Sequence, residues 1–175
     1  MRQYVAFFRG LNVTGKNALK MSDLKKTLES IGCTNVKTVL ASGNAIFTAP
    51  QDLPKTLQQK IETELAKGYD YKGNVILRPI ETLHSLMNAN PFSSIETSPD
   101  TRLYVTFLPT PPESHAIEQL ENFSVIHTTD TEVFSVLTLS PNSKTVDVMK
   151  ILDNAYGKTI TTRNWNTIKR MVGAL

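Results

Sequence analysis

The sequence predicts an α+β fold of two successive four-stranded antiparallel sheets, each backed by helices, with a closing C-terminal helix. Three observations carry that expectation. The first 79 residues alternate period-2 and period-3.6 apolar patterns in the order strand, helix, strand, strand, helix, strand. Tyr104-Val105-Thr106-Phe107-Leu108 then echoes Tyr4-Val5-Ala6-Phe7-Phe8 one hundred positions on, and the same order of elements follows it. A chain of 175 residues has room for two small units of this kind.

Residues 4–8 are apolar on both faces of the pleat, as in a central strand covered on two sides. Gly10 ends this strand, and Gly15 allows a turn with positive φ. Met21, Leu24, Leu28 and Ile31 form one face of an amphipathic helix, with Ser22 as candidate N-cap and Gly32 at its C-terminal end. Residues 35–40 read as a β-branched strand, 41–44 as a turn and 45–48 as the hairpin partner. Leu53, Leu57, Ile61 and Leu65 stripe a second helix that Gly68 ends, and residues 74–78 make a fourth strand closed by Pro79. Right-handed crossovers fold this order into the ferredoxin-like βαββαβ plait, whose first and third strands are antiparallel neighbours. The loop over residues 9–16 is therefore expected beside the turn at 42–44.

Ile80, Leu83, Leu86 and Met87 suggest a short connecting helix, stopped at Asn90-Pro91-Phe92, and residues 93–100 form a Ser/Pro/Thr-rich linker. The repeat then runs through a strand at 104–108 and a helix opened by Pro111-Pro112, reaching about Glu121 with Ile117 and Leu120 inward. Strands follow at 123–128 and 132–139, then a helix marked by Val148, Ile151, Leu152 and Ala155 and ended by Gly157, then a short strand within 158–162. The tail reads as a helix capped by Thr161 or Thr162. Arg163, Asn164 and Asn166 fall in its anion-favouring first turn, and Trp165, Ile168 and Val172 form its packing stripe. The expected organisation is a first plait subdomain over 1–79, a connecting helix and linker over 80–101, and a second plait subdomain with the C-terminal helix over 102–175.

Composition narrows the function classes. No apolar run approaches the length of a membrane span, and no leader pattern precedes the first strand. A lone Cys33 excludes an internal disulfide, fits a reducing cytoplasm and reads as buried filler rather than nucleophile. The net charge of +3 is unevenly spread: residues 1–79 hold 12 Lys/Arg against 6 Asp/Glu, whereas residues 80–143 hold 1 against 8. The basic part suits nucleic acid or an anionic ligand, the acidic part suits a basic surface of this chain or of a second copy, and plain solvated faces account for both.

The motifs point to binding more than to a reaction. Residues 10–17, GLNVTGKN, lie close to the phosphate-binding pattern GxxxxGK[ST]. Asn17, however, stands where that pattern places the magnesium-holding hydroxyl, and no later strand ends in the Asp that a nucleoside triphosphate site needs. A turn-forming surface loop, or an anion-contacting loop of another kind, fits better. His84, His115 and His127 have no metal-ligand spacing, so neither a metal nor another cofactor is expected. There is no Gly-x-Ser-x-Gly elbow, and the basic and amide residues of the motif-rich loops polarise anions without offering a general base near neutral pH. No catalytic residue is assigned.

Arg9-Gly10-Leu11-Asn12-Val13 with Gly15-Lys16-Asn17, Met21, Ser42-Gly43-Asn44 before an apolar strand, Asn90-Pro91-Phe92, and Thr162-Arg163-Asn164-Trp165-Asn166-Thr167 together resemble the bacterial domain-of-unknown-function family numbered 1697. The resemblance spans nearly the whole chain. That family's pattern usually has a further glycine where Thr14 stands, so the tightest turn is altered here. The resemblance implies a pair of α/β-plait subdomains and no known reaction. By carry-over alone it marks Arg9, Asn12, Lys16, Asn17, Ser42, Asn44, Arg163, Asn164, Trp165 and Asn166 as a ligand site. The expectation is a small-ligand or anion-binding module in which Arg9, Lys16, Asn44 and Arg163 share one basic, amide-rich pocket between the subdomains. Two other readings stay open: an enzyme acting on a phosphate- or carboxylate-bearing substrate, and an RNA-binding plait. For the latter, residues 103–108 match the first-strand half of the stacking signature, while the basic-glycine-aromatic half is absent.

Overall fold

The computed structural model describes residues 1–174 apart from 12–18, 41–42, 51–53, 113–116, 118–119 and 141–145. The elements run β1 (Arg2–Phe8), α1 (Met21–Ser30), β2 (Thr34–Thr38), β3 (Asn44–Ala49), α2 (Pro54–Tyr69), β4 (Val75–Pro79) and α3 (Ile80–Ala89). They continue through β5 (Thr101–Phe107), β6 (Phe123–Thr128), β7 (Glu132–Thr138), α4 (Val148–Tyr156), β8 (Thr161–Asn164) and α5 (Trp165–Val172). The result is a mixed α+β fold with two four-stranded antiparallel sheets, ordered β2-β3-β1-β4 and β6-β7-β5-β8. Two compact units contain them: Met1–Ser85 with Arg170–Leu175, and Leu86–Lys169. No helix among the described residues is long and apolar enough to cross a membrane.

In the first unit β1 is a central strand because both its faces are apolar. Tyr4, Ala6 and Phe8 meet Leu24 and Leu28 of α1 and Leu57, Ile61 and Leu65 of α2 in one core, while Val5 and Phe7 on the opposite face are also fully buried. Each large apolar side chain taken out of water this way contributes about 1.5–3 kcal/mol. In the second unit Leu108, Val133 and Leu137 pack with Val148 and Leu152 of α4. The outer strands β2 and β6 each carry an irregularity, between Thr34 and Lys37 and between Val125 and His127, which blunts the sheet edge against further pairing.

Several local expectations are corrected. Helix α1 starts at Met21 after Lys20, which makes no side-chain cap bond, rather than after Ser22. Helix α2 runs through Gly68 to Tyr69. None of the described residues of the expected 111–121 helix is helical: Pro111, Pro112 and Ile117 are irregular and Leu120 bridges Phe123. A residue before proline is pushed out of the α region, and Leu120 exchanges backbone hydrogen bonds of 3.2 and 3.3 Å with Phe123 instead of with a helix. At the tail, the short strand expected within 158–162 runs over Thr161–Asn164, so Thr161 and Thr162 are strand rather than helix cap. They pair with β5, and the Thr162 and Thr106 hydroxyls sit 2.8 Å apart across that pair. In α5, Met171 rather than Val172 is the fully buried residue at the end of the stripe.

Cys33 is buried, and desolvation pushes its thiol from 9.0 up to about 11 despite the opposing Lys60 ammonium. A folded-state value raised in this way stabilises the fold at lower pH, and the contribution is lost as pH climbs from 9.0 toward 11. Ellman's reagent is therefore expected to modify Cys33 at neutral pH only as fast as the first unit opens. Cys33→Ala should flatten the alkaline fall in stability measured by urea denaturation at a series of pH values.

Candidate functional site

The end of the first sheet where β1 leaves is tightly built. The Arg9 N–H donates to the Asn74 carbonyl at 2.8 Å, and the Tyr71 hydroxyl lies 2.7 Å from the Arg9 carbonyl and 2.8 Å from that of Asn74. A phenol has one proton, so it is shared between the two acceptors. On the other flank the Phe8 N–H donates to the Gly43 carbonyl at 2.9 Å. Gly43 has φ +75°, and a Cβ there would stand 3.2 Å from the Phe8 carbonyl oxygen, so the turn needs glycine for both reasons.

The start of β3 thus lies beside the exit of β1, with Asn44 opposite Phe7, as the topology requires. Arg9 is half-buried at this end. Asn44 is fully buried, and its Nδ2 donates to the Val39 carbonyl at 3.2 Å while its own carbonyl accepts the Val39 N–H at 2.9 Å. Its side chain ties the start of β3 to Val39 just after β2. Asn12, Lys16, Asn17 and Ser42 lie outside the described residues.

In the second unit the motif residues straddle the junction of β8 and α5. Arg163 sits opposite Val105, and its Nη1 donates to the Thr161 hydroxyl and the Thr162 carbonyl, each at 2.9 Å. The Asn164 Oδ1 accepts the Asn166 N–H at 2.9 Å, so Asn164, not Thr162, is the residue that caps α5. Trp165 is 5% exposed and packs on Phe92 with ring centroids 5.4 Å apart.

Asn164, Trp165 and Asn166 line a cavity of ≈ 370 Å³, completed by residues that sequence reasoning missed: Arg102, Lys169, Ser98 and Thr101. Lys169 follows Asn166 by three positions and Trp165 by four, which puts all three on one side of the helix. The Arg102 Nη1 is anchored on the Pro99 and Thr101 carbonyls at 2.6 and 3.0 Å. The Ser98 and Thr101 hydroxyls sit 3.1 Å apart, and Ser98 Oγ accepts the Asp100 N–H at 3.2 Å. The lining therefore holds two cations, two amides and no carboxylate, next to the N–H end of α5. Such a set can bind and polarise an anion, and it contains no general base for neutral pH. Arg163 is not part of this lining. The signal that leads to Arg102 is the pairing of Tyr104 with Asn164, which brings the start of β5 beside the end of β8.

The family model described as "Protein of unknown function (DUF1697)" matches residues 1–137. No curated relative matches the chain. Among solved structures, the conserved bacterial protein SP0830 from Streptococcus pneumoniae is similar with a TM-score of 0.74 at 23% identity, over 100% of this chain and 98% of that one. At that identity the likeness is one of fold.

Proposed function

Because the chain belongs to the DUF1697 family of proteins of unknown function, whose description carries no reaction, we propose a function from the site alone: binding of a small anionic ligand in a basic, amide-rich pocket. One observation carries the reading. Arg102 and Lys169 line the same cavity as Asn164 and Asn166, with no carboxylate among them. Hydrogen bonds from charged donors to an anion contribute about 1.5–3 kcal/mol each, so a few such contacts suffice for a specific small ligand. In the first unit, Arg9, Asn12, Lys16, Asn17 and Ser42 remain proposed as anion-facing residues on the strength of their types and motif positions.

The proposal includes the finer architecture: two ferredoxin-like plaits from a tandem duplication, in a bacterial, cytoplasmic protein. The repeated strand order supports the duplication, as does the equivalence of two hydrogen bonds, Phe8 N–H to Gly43 O and Leu108 N–H to Thr131 O, both 2.9 Å. The lone thiol fits a cytoplasmic setting.

Trp165 is the only tryptophan, so its fluorescence reports on the pocket directly. Titration with inorganic phosphate and with citrate at constant ionic strength is expected to give a saturable change. Lys169→Ala should weaken it about tenfold or more, the equivalent of about 1.4 kcal/mol, and Lys169→Arg should retain it. The same flat response to both anions as to chloride would end the proposal. The enzyme reading uses the same pocket and is tested by incubation with phosphate- and carboxylate-bearing metabolites. The RNA reading is less favoured because Phe107 is fully buried and Tyr104 packs into the helix-side core, which leaves these aromatics unsuited to base stacking. Salt-dependent binding of mixed-sequence oligonucleotides without any phosphate response would reverse that preference.

A further inference from the structure

The pocket between the start of β5 and the first turn of α5 is larger than a bare anion. Water occupies about 30 Å³ per molecule in the liquid, so a cavity of ≈ 370 Å³ has room for roughly a dozen non-hydrogen atoms, of which inorganic phosphate would fill five. The remaining space suits a body attached to the anion. Charge selects the anion. Arg102 and Lys169 are the cations of the lining, and no carboxylate belongs to it. Glu96 and Asp100 adjoin lining residues in the chain, but both are exposed, where water and salt screen them. The Lys169 ammonium makes no hydrogen bond or ion pair among the described residues. Arg102 commits only Nη1 to the Pro99 and Thr101 carbonyls, which leaves the Nε–Nη2 edge, two parallel N–H groups, for a bidentate oxyanion. Two cations match a dianion, whereas a single carboxylate would leave one of them unbalanced. A phosphomonoester carries about −1.5 to −2 charges at pH 7.

The neutral part of the lining selects the body. Thr97, Ser98, Thr101, Asn164 and Asn166 bring hydroxyls and amides, groups that both donate and accept, and only Leu103 and Trp165 are apolar. Among the described residues the Thr97 hydroxyl and the Asn166 amide group make no hydrogen bond, and Asn164 uses its Oδ1 but not its Nδ2. An alkyl or aryl body would take water from these groups and return no bond, which is the unfavourable case for a polar group. A hydroxylated body returns a bond to each.

We propose that this pocket takes the phosphomonoester of a small polyol, about three or four carbons long; the assignment rests on the anion-binding reading of the same pocket and names its ligand class. The test is isothermal calorimetry of the full chain at constant ionic strength with sn-glycerol 3-phosphate, propyl phosphate, glycerate and inorganic phosphate. Propyl phosphate isolates the contribution of the hydroxyls, and glycerate that of the second charge. Glycerol 3-phosphate is expected to bind about tenfold or more tighter than each of the other three. Its affinity should rise between about pH 5 and about pH 7, as the monoester takes its second charge near pH 6 while Arg102 and Lys169 stay protonated. Asn166→Leu and Thr97→Val each remove one polar group at an exposed position, and each should narrow the preference for glycerol 3-phosphate over propyl phosphate about threefold or more. Glycerate, propyl phosphate or inorganic phosphate bound as tightly as glycerol 3-phosphate, or a preference unchanged in both variants, overturns the ligand class and leaves the anion site standing. No saturable heat with any of the four removes the site itself, and the ligand class with it.

Discussion

Gly73→Ala is expected to cost the first unit about 3 kcal/mol or more, among the largest effects of any single methyl group in the chain. The reason is space, not backbone conformation, since Gly73 is not among the glycines with positive φ. A Cβ at this position would stand 1.8 Å from the Arg9 carbonyl oxygen and 2.7 Å from the Tyr71 hydroxyl. Neither neighbour can move alone. The Arg9 carbonyl accepts the Tyr71 hydroxyl, the Arg9 N–H is tied to Asn74, and Tyr71 is itself buried in the core beneath α2. Relief would break this cluster and leave polar groups without partners, each at a cost of about 1–3 kcal/mol. Gly68→Ala is the matching control. It lies inside α2, a Cβ there meets nothing within 4 Å, and the change should stabilise by up to about 1 kcal/mol. Urea denaturation of the two variants should move the midpoint in opposite directions. If Gly73→Ala proves as stable as the parent, the close approach of residue 73 to the β1 exit is wrong, and the positioning of Arg9 argued from it goes with it.

The parts of this fold that could be read from the sequence are those whose pattern is local. Leu57, Ile61 and Leu65 announce α2 by spacing, and residues 4–8 announce a doubly covered strand by having no polar face. The order of elements makes the first and third strands neighbours, so the chain leaving β1 is expected beside the turn before β3, and the Phe8 N–H does meet the Gly43 carbonyl there. The misreadings came where a nonlocal contact outweighed a local signal. Pro111-Pro112 looks like a helix opening, yet at the far end of the expected helix Leu120 bridges Phe123 instead; residues 113–116 and 118–119 lie outside the described residues. Thr161 and Thr162 look like caps, yet they are β-branched and find β5 as a partner.

That last error hid half of the pocket. With Arg163 and Asn164 taken into the first turn of the closing helix, nothing connects Arg102 to Asn164. Once they form the strand antiparallel to β5, the start of β5 and the end of β8 must meet. β5 itself begins at Thr101, earlier than its aromatic stretch suggests, because Thr101 and Arg102 pair with Thr138 and Leu137 of β7. The motif residues Asn164, Trp165 and Asn166 were therefore visible as a group, while the cations that give the pocket its charge were not.

Trp165→Ala is expected to destabilise the second unit by about 3–5 kcal/mol, the range for emptying a large aromatic site in a packed core. The indole is 5% exposed, tilted by 58° against Phe92 at 5.4 Å, and Phe92 in turn meets Phe134 edge-on at 5.9 Å. Aromatic pairs of this geometry add about 0.5–1.5 kcal/mol beyond the area they bury, so removing the first ring also loosens the second. Trp165 also stands directly after the Asn164 cap and four residues before Lys169, so its packing sets the direction in which α5 presents the pocket residues. Trp165→Phe separates support from stacking. It keeps a ring against Phe92 and should cost well under half as much as the alanine change, measured by far-UV circular dichroism in urea because the fluorophore is gone. If the indole only orients Asn166 and Lys169, phosphate binding followed by calorimetry should survive in Trp165→Phe. If the indole itself lies against the ligand, affinity should drop while stability is largely kept. A Trp165→Ala protein as stable as its parent would remove the anchoring role altogether, and the pocket would then have to be held by the Asn164 cap and the Arg102 anchors alone.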